Sequence, residues 1–256
     1  MLKHQHIRLG RVIRLATATT TLSAILAIPL SSVLVAASPT DLVGSAPLAV
    51  AVNPSTNTVY VTNRIDNSVS VINGSTNTVT ATVSVGSIPL AIAVNPSTNT
   101  VYVANFGGRS VSVIKGKTNT VTKTVSVGSY PYAVAVNPST NTVYVTNIGG
   151  NSVSVINGKT NTVTKTVPVW SGPDGVAVNP STNTVYVVNT GGNSVSVIKG
   201  TTNTVTATVS VGSGPTAVAV NPSTNTVYVA NFGDNSVSVI KGKTNTVTAT
   251  VPVGSG

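Results

Sequence analysis

Residues 47–88 read PLAVAVNPSTNTVYVTNRIDNSVSVINGSTNTVTATVSVGSI. They hold four short β-branched runs, Ala49–Val52, Val59–Thr62, Ser68–Ile72 and Val79–Val85. The third and fourth alternate apolar with polar residues, the pattern of a half-buried strand. The first is almost wholly apolar, as in a strand covered on both faces. Turn residues separate the runs: Asn53-Pro54-Ser55-Thr56, Arg64-Ile65-Asp66-Asn67, Asn73-Gly74-Ser75 and Gly86-Ser87-Ile88-Pro89. Strand starts about ten residues apart leave no room for a crossover helix, so consecutive strands are expected to pair antiparallel.

The same unit recurs at Pro47, Pro89, Pro131, Pro173 and Pro215, always 42 residues apart. Residues 47–256 are thus five tandem copies: 47–88, 89–130, 131–172, 173–214 and 215–256. A four-stranded antiparallel unit of this length is a propeller blade. Asn-Gly hairpin signals speak against a parallel β-helix, and a sandwich domain needs ~100 residues. The expected fold is all-β, a β-propeller of five four-stranded blades. The apolar first strand should lie innermost and the Thr-rich fourth outermost. Closure into a monomeric ring is expected, because an open array would leave apolar blade faces in water.

Tyr60-Val61-Thr62-Asn63 and Tyr144-Val145-Thr146-Asn147 spell a tetrapeptide that resembles the YVTN β-propeller repeat family, of surface-layer or YncE-like type. The flanking Ala-Val-Ala-Val-Asn-Pro, Asn-Ser-Val-Ser-Val-Ile and Val-Ser-Val-Gly are similar to it as well. The third position departs from the motif in Tyr102-Val103-Ala104-Asn105, Tyr186-Val187-Val188-Asn189 and Tyr228-Val229-Ala230-Asn231. The resemblance covers all five copies. It implies exported or surface-layer proteins of bacteria and archaea, without one shared activity.

The N-terminal 37 residues differ from the rest. Lys3, Arg8, Arg11 and Arg14 precede an apolar stretch that ends in Val35-Ala36-Ala37. This reads as a secretory signal peptide, residues 1–37. A membrane span would need ~20 apolar residues, and Pro29 with several Thr and Ser interrupts the stretch. Residues 38–46 form a short lead-in. After cleavage the chain has no Cys, His or Glu, and ten basic against four acidic side chains, a formal +6. The expected location is secreted or cell surface.

Of the 42 repeat positions, 28 are identical in all five copies. The variable ones gather in the turn after strand two and in the link to the next blade, two segments that share one rim of a propeller. That rim should carry Arg64, Asp66, Phe106, Arg109, Tyr130, Tyr132, Trp170, Asp174, Phe232 and Asp234. Loops on a rigid scaffold are where binding groups are expected. The candidate partner is a glycan or a protein at the cell surface. The repeat-invariant tyrosines, such as Tyr144, read as scaffold. Asp66 and Asp234 would approach one another in a closed ring, but two carboxylates make a weak cation site, and turn capping accounts for them more simply.

The opposite rim should carry Lys115, Lys117, Lys159, Lys199, Lys241 and Lys243. It suits either an anionic polymer, a wall polymer or nucleic acid, or plain protection of sheet edges. Catalysis is poorly supplied: there is no His for proton transfer near neutrality and no Cys nucleophile. No cofactor or metal is expected, and a non-catalytic binding role is the leading expectation. A lactonase-like or other propeller hydrolase is the alternative.

Overall fold

The computed structural model describes residues 42–254. Residues 1–37, where a signal peptide is expected, and residues 38–41 of the lead-in lie outside the described residues. The rest is five four-stranded antiparallel sheets, each a consecutive meander. The first blade consists of β1 (Pro47–Asn53), β2 (Thr58–Asn63), β3 (Ser68–Asn73) and β4 (Thr78–Ser84). The other four repeat it at the 42-residue spacing.

Local chemistry accounts for the meander. Asn57, Asn67 and Asn77 sit in the three turns with φ of 48°, 51° and 56°. Asn tolerates this left-handed conformation because its short amide bonds locally. The last of these turns is also held by Asn73 at the end of β3, whose Oδ1 accepts the N–H groups of Ser75 and Thr76 at 2.8 and 3.2 Å. A register shift at Val71/Ile72 between β3 and β4 recurs in every blade and turns the outer strand away from its neighbour.

The core lies between blades. Neighbouring blades touch extensively along their first strands and little along their fourth, so the first strands are innermost. Each junction sets one blade's Tyr and valines against the next blade's valines and Ile. At the third junction Tyr144, Val153, Val155 and Val167 meet Val185, Val187 and Ile198. The other three junctions repeat these positions. An amide ladder runs beside the apolar contacts. Asn53, Asn95, Asn137 and Asn179 each donate through Nδ2 to the Oδ1 of an Asn 46 residues on, at 2.8 Å every time.

The expected closure does not occur. Among the described residues no sheet covers the outer face of the fifth blade or the opposite face of the first. Tyr228 is 42% exposed where Tyr144 is fully buried. Val50 and Val52 are 65% and 55% exposed where the equivalent Ile92 is buried and Val94 half-buried. The array is therefore an open arc, and the ring argument for a monomer loses its basis. The first strands also differ from expectation. They are half-buried rather than covered on both faces, because an arc leaves its axial side facing water.

Candidate functional site

The turn after strand two and the blade-to-blade link do share a rim. Phe106 N–H donates to the Ile88 carbonyl at 2.9 Å, and Gly107 N–H to that of Ser87 at 3.1 Å. The variable residues do not form one surface, however. A cleft of about 440 Å³ is lined by Leu48, Arg64, Ile88, Leu90, Phe106 and Tyr132, all from the first three blades. Beside it, Phe106 and Tyr130 pack with ring centroids 5.0 Å apart. The Arg109 guanidinium lies 5.9 Å over the Tyr130 ring, within reach of a cation–π contact.

Trp170 and Phe232 stand apart from this cluster. Trp170 is 59% exposed beside a shallow patch with Pro168, Val205 and Thr208. Phe232 is 81% exposed at the edge of the last blade. The carboxylates serve the backbone. Asp66 accepts the Ser45 N–H at 2.6 Å, and Asp234 accepts that of Ser213. The first and last blades do not meet, so these two acids share no site. Asp174 accepts a hydrogen bond from Thr190 Oγ1 at 3.0 Å. Burial raises the Asp174 carboxyl above its ordinary value, and that hydrogen bond partly opposes the shift. Among the described residues no three acidic, His or Cys side chains converge on a possible cation.

On the opposite rim Lys115, Lys117, Lys159, Lys199, Lys241 and Lys243 are all exposed. Two lysines further along the outer strands bridge blades. Lys123 and Lys165 donate to the carbonyls of Thr160 and Thr202 at 3.5 and 3.0 Å.

Backbone strain concentrates at the cleft. The last residue of each link is left-handed throughout, and Gly172 and Gly214 fill it in two links without penalty. Ile88 and Tyr130 occupy it with φ of 53° and 54°. A β-branched residue in this region is an outlier, and such outliers cluster at functional sites. Arg109 likewise sits at φ 45° where every other copy has Asn. Those asparagines accept the link N–H: Ile88 to Asn67 at 2.8 Å, Gly172 to Asn151 at 3.1 Å and Gly214 to Asn193 at 2.9 Å. Arg109 has no acceptor to offer, so Tyr130 N–H lacks that bond.

Arg109→Asn should therefore raise stability by about 1–2 kcal/mol, combining relief at a left-handed residue with one regained hydrogen bond. A denaturant midpoint that stays put or falls would contradict this account of the strain.

Leu48, Ile88 and Leu90 were not among the expected site residues. The signal for Ile88 was present: three other copies have Gly where it stands. Leu48 and Leu90 hold the second repeat position, which varies as Leu, Leu, Tyr, Asp and Thr. Apolar residues there look like ordinary strand until the arc shows that this strand end faces the mouth of the axis.

Two family models match the chain: a YncE-like β-propeller over residues 16–142 and a seven-bladed β-propeller lactonase over residues 158–253. The chain is a β-propeller repeat protein of the YncE/YVTN type. Solved structures share the fold at low identity. Hydrazine synthase of Kuenenia stuttgartiensis is 18% identical with a TM-score of 0.63, over 86% of this chain and 90% of that one. A functionally unknown protein of Desulfotomaculum acetoxidans is 16% identical with a TM-score of 0.71, over 82% of this chain and 73% of that one. No curated protein matches this YncE/YVTN-type chain significantly.

Proposed function

We propose that this chain is an exported, non-catalytic binding protein of the cell surface that takes a glycan in the cleft lined by Arg64, Ile88, Phe106 and Tyr132. The observation that carries the reading is the coincidence of strain and opening. Ile88, Tyr130 and Arg109, three residues that cost the scaffold stability, stand at or beside the cleft. Flat rings beside a leucine-lined wall suit the apolar face of a sugar. Arg64 supplies charge-assisted hydrogen bonds to hydroxyl or carboxylate groups, and Arg forms these with fixed fork geometry. No acidic side chain lines the cleft, so an acidic sugar meets no repulsion there. Export rests on the basic, apolar and small-residue order of residues 1–37. N-terminal sequencing of the secreted protein checks it by showing whether the chain begins near Ser38.

Glycan-array and cell-wall pull-down assays test the binding. Phe106→Ala should weaken binding at least about tenfold, the loss of one aromatic contact in the cleft. Trp170→Gly should leave it unchanged, because Trp170 lies outside the cleft. If instead binding persists in Phe106→Ala and disappears only when Lys115, Lys117, Lys241 and Lys243 are neutralised, the ligand is a polyanion on the opposite rim.

Hydrolysis of a lactone is the second reading, favoured by the family match over residues 158–253. It ranks below binding because the sequence after residue 37 lacks His, Cys and Glu. Ring opening of a lactone panel with added divalent cations, abolished by Asp174→Asn, would reverse that order.

A further inference from the structure

We propose that the two uncovered faces of the arc bind one another between copies, so that the fifth blade of one molecule packs head-to-tail on the first blade of a second. The inference rests on the repetition of the junction. Four times within the chain the same pair of faces meets, with the same positions buried. The fifth blade presents the first of these faces in full: Tyr228, Ala230, Val237, Val239 and Val251 stand where Tyr144, Thr146, Val153, Val155 and Val167 stand at the third junction. The first blade presents the complementary face, Val50, Val52, Val59, Val61 and Ile72, at the positions of Val176, Val178, Val185, Val187 and Ile198.

Both faces are identical or conservatively changed relative to the buried ones, so shape and register are already specified. The polar ladder is interrupted at the same two places. Asn221 holds the repeat position of Asn53, Asn95, Asn137 and Asn179, which are all fully buried and donate across a junction, yet Asn221 is exposed. Asn57 holds the accepting position of Asn99, Asn141, Asn183 and Asn225. A fifth junction made with a second copy would join Asn221 Nδ2 to Asn57 Oδ1 of that copy. Exposed apolar faces of this extent mark interaction sites. Because the two faces differ, the contact is heterologous: a molecule using one face keeps the other free, and association continues beyond a pair unless geometry closes it.

The test uses the full secreted chain and two face variants. Val50→Lys with Val52→Lys disables the first-blade face, and Ala219→Lys with Ala230→Lys disables the fifth-blade face. All four side chains are exposed within one molecule or at its open ends, so the arc itself should fold in both, which circular dichroism verifies. Sedimentation velocity of the wild type should show mass rising with concentration through dimers to longer species. Each variant alone should remain monomeric, its association weakened at least about 100-fold by an unpaired lysine in an apolar junction. An equimolar mixture should form a 1:1 dimer and nothing larger, since it retains one intact face of each kind. A wild type that stays monomeric at about 100 μM, far above the range of specific association, would overturn the proposal. So would folded variants that associate as the wild type does, or a wild-type dimer of fixed size abolished by neither pair of substitutions.

Discussion

Tyr144→Ala should destabilise the protein by about 3–5 kcal/mol, the usual cost of removing a fully buried aromatic ring from a core that cannot collapse around the gap. The ring is completely buried against the fourth blade, and its hydroxyl donates to Asn203 Oδ1 at 3.1 Å across the junction. The same change at Tyr228, chemically identical but 42% exposed at the end of the arc, should cost roughly 1 kcal/mol. Denaturant unfolding of the two variants under dilute conditions separates position from chemistry. Equal losses would mean that the junctions are not the source of stability. The tyrosine also sets an alkaline limit. Burial pushes its phenol up from 10.0 to about 12, so the neutral form is favoured in the folded state. The associated stability is complete below pH 10 and is lost as pH rises through that window, because only the unfolded chain ionises early.

Asn147→Ala should cost about 2–3 kcal/mol without creating a large cavity. Asn147 is fully buried, and its Nδ2 donates to Ser152 Oγ at 3.2 Å and to Ser154 Oγ at 3.0 Å. Ser154 Oγ in turn accepts the Gly128 N–H at 3.3 Å, tying the preceding link to the blade. Removing the amide leaves the buried Ser152 hydroxyl without its donor and Ser154 with the Gly128 N–H alone, and unsatisfied buried groups carry most of the penalty. Asn147→Asp distinguishes this from packing. A buried carboxylate with no donor facing it should be worse than Ala at neutral pH. Burial raises its folded-state pKa, so stability should return as pH falls from that raised value and be fully restored once pH is below the unfolded value near ~4. Were Asp tolerated at neutral pH, the serines would have to reverse and donate.

The fold was legible because repetition removes ambiguity. One blade of apolar runs and Asn-Gly turns admits several readings, but the same 42 residues five times without a gap admit few. Closure was not legible. It depends on the angle between packed blades, which is set by how deeply residues such as Tyr102 and Ile114 interdigitate and not by their identity alone. The rim was legible as a rim, since the turn after strand two and the link must share an end of the blade. Its division was not. Trp170 and Phe106 are equivalent as departures from the scaffold, but one lies on the outside of the arc and the other opens onto the cleft. The strained backbone at Ile88 and Arg109 could have been anticipated by asking which conformation Gly or Asn serves at those positions in the other copies.

The likeness of the four junctions bears on how the chain reaches its native state. Nothing in the chemistry of the junction tells the second blade from the fourth, so a partly folded chain could seat the wrong pair with nearly native contacts. What enforces order is tether length. The link Gly86-Ser87-Ile88 holds the second blade beside the first at an effective concentration in the millimolar range, while a skipped blade must close a loop 42 residues longer. That entropic difference is modest. Refolding should therefore pass through mis-seated blades, and its slow phases should lengthen as the links are made longer and looser.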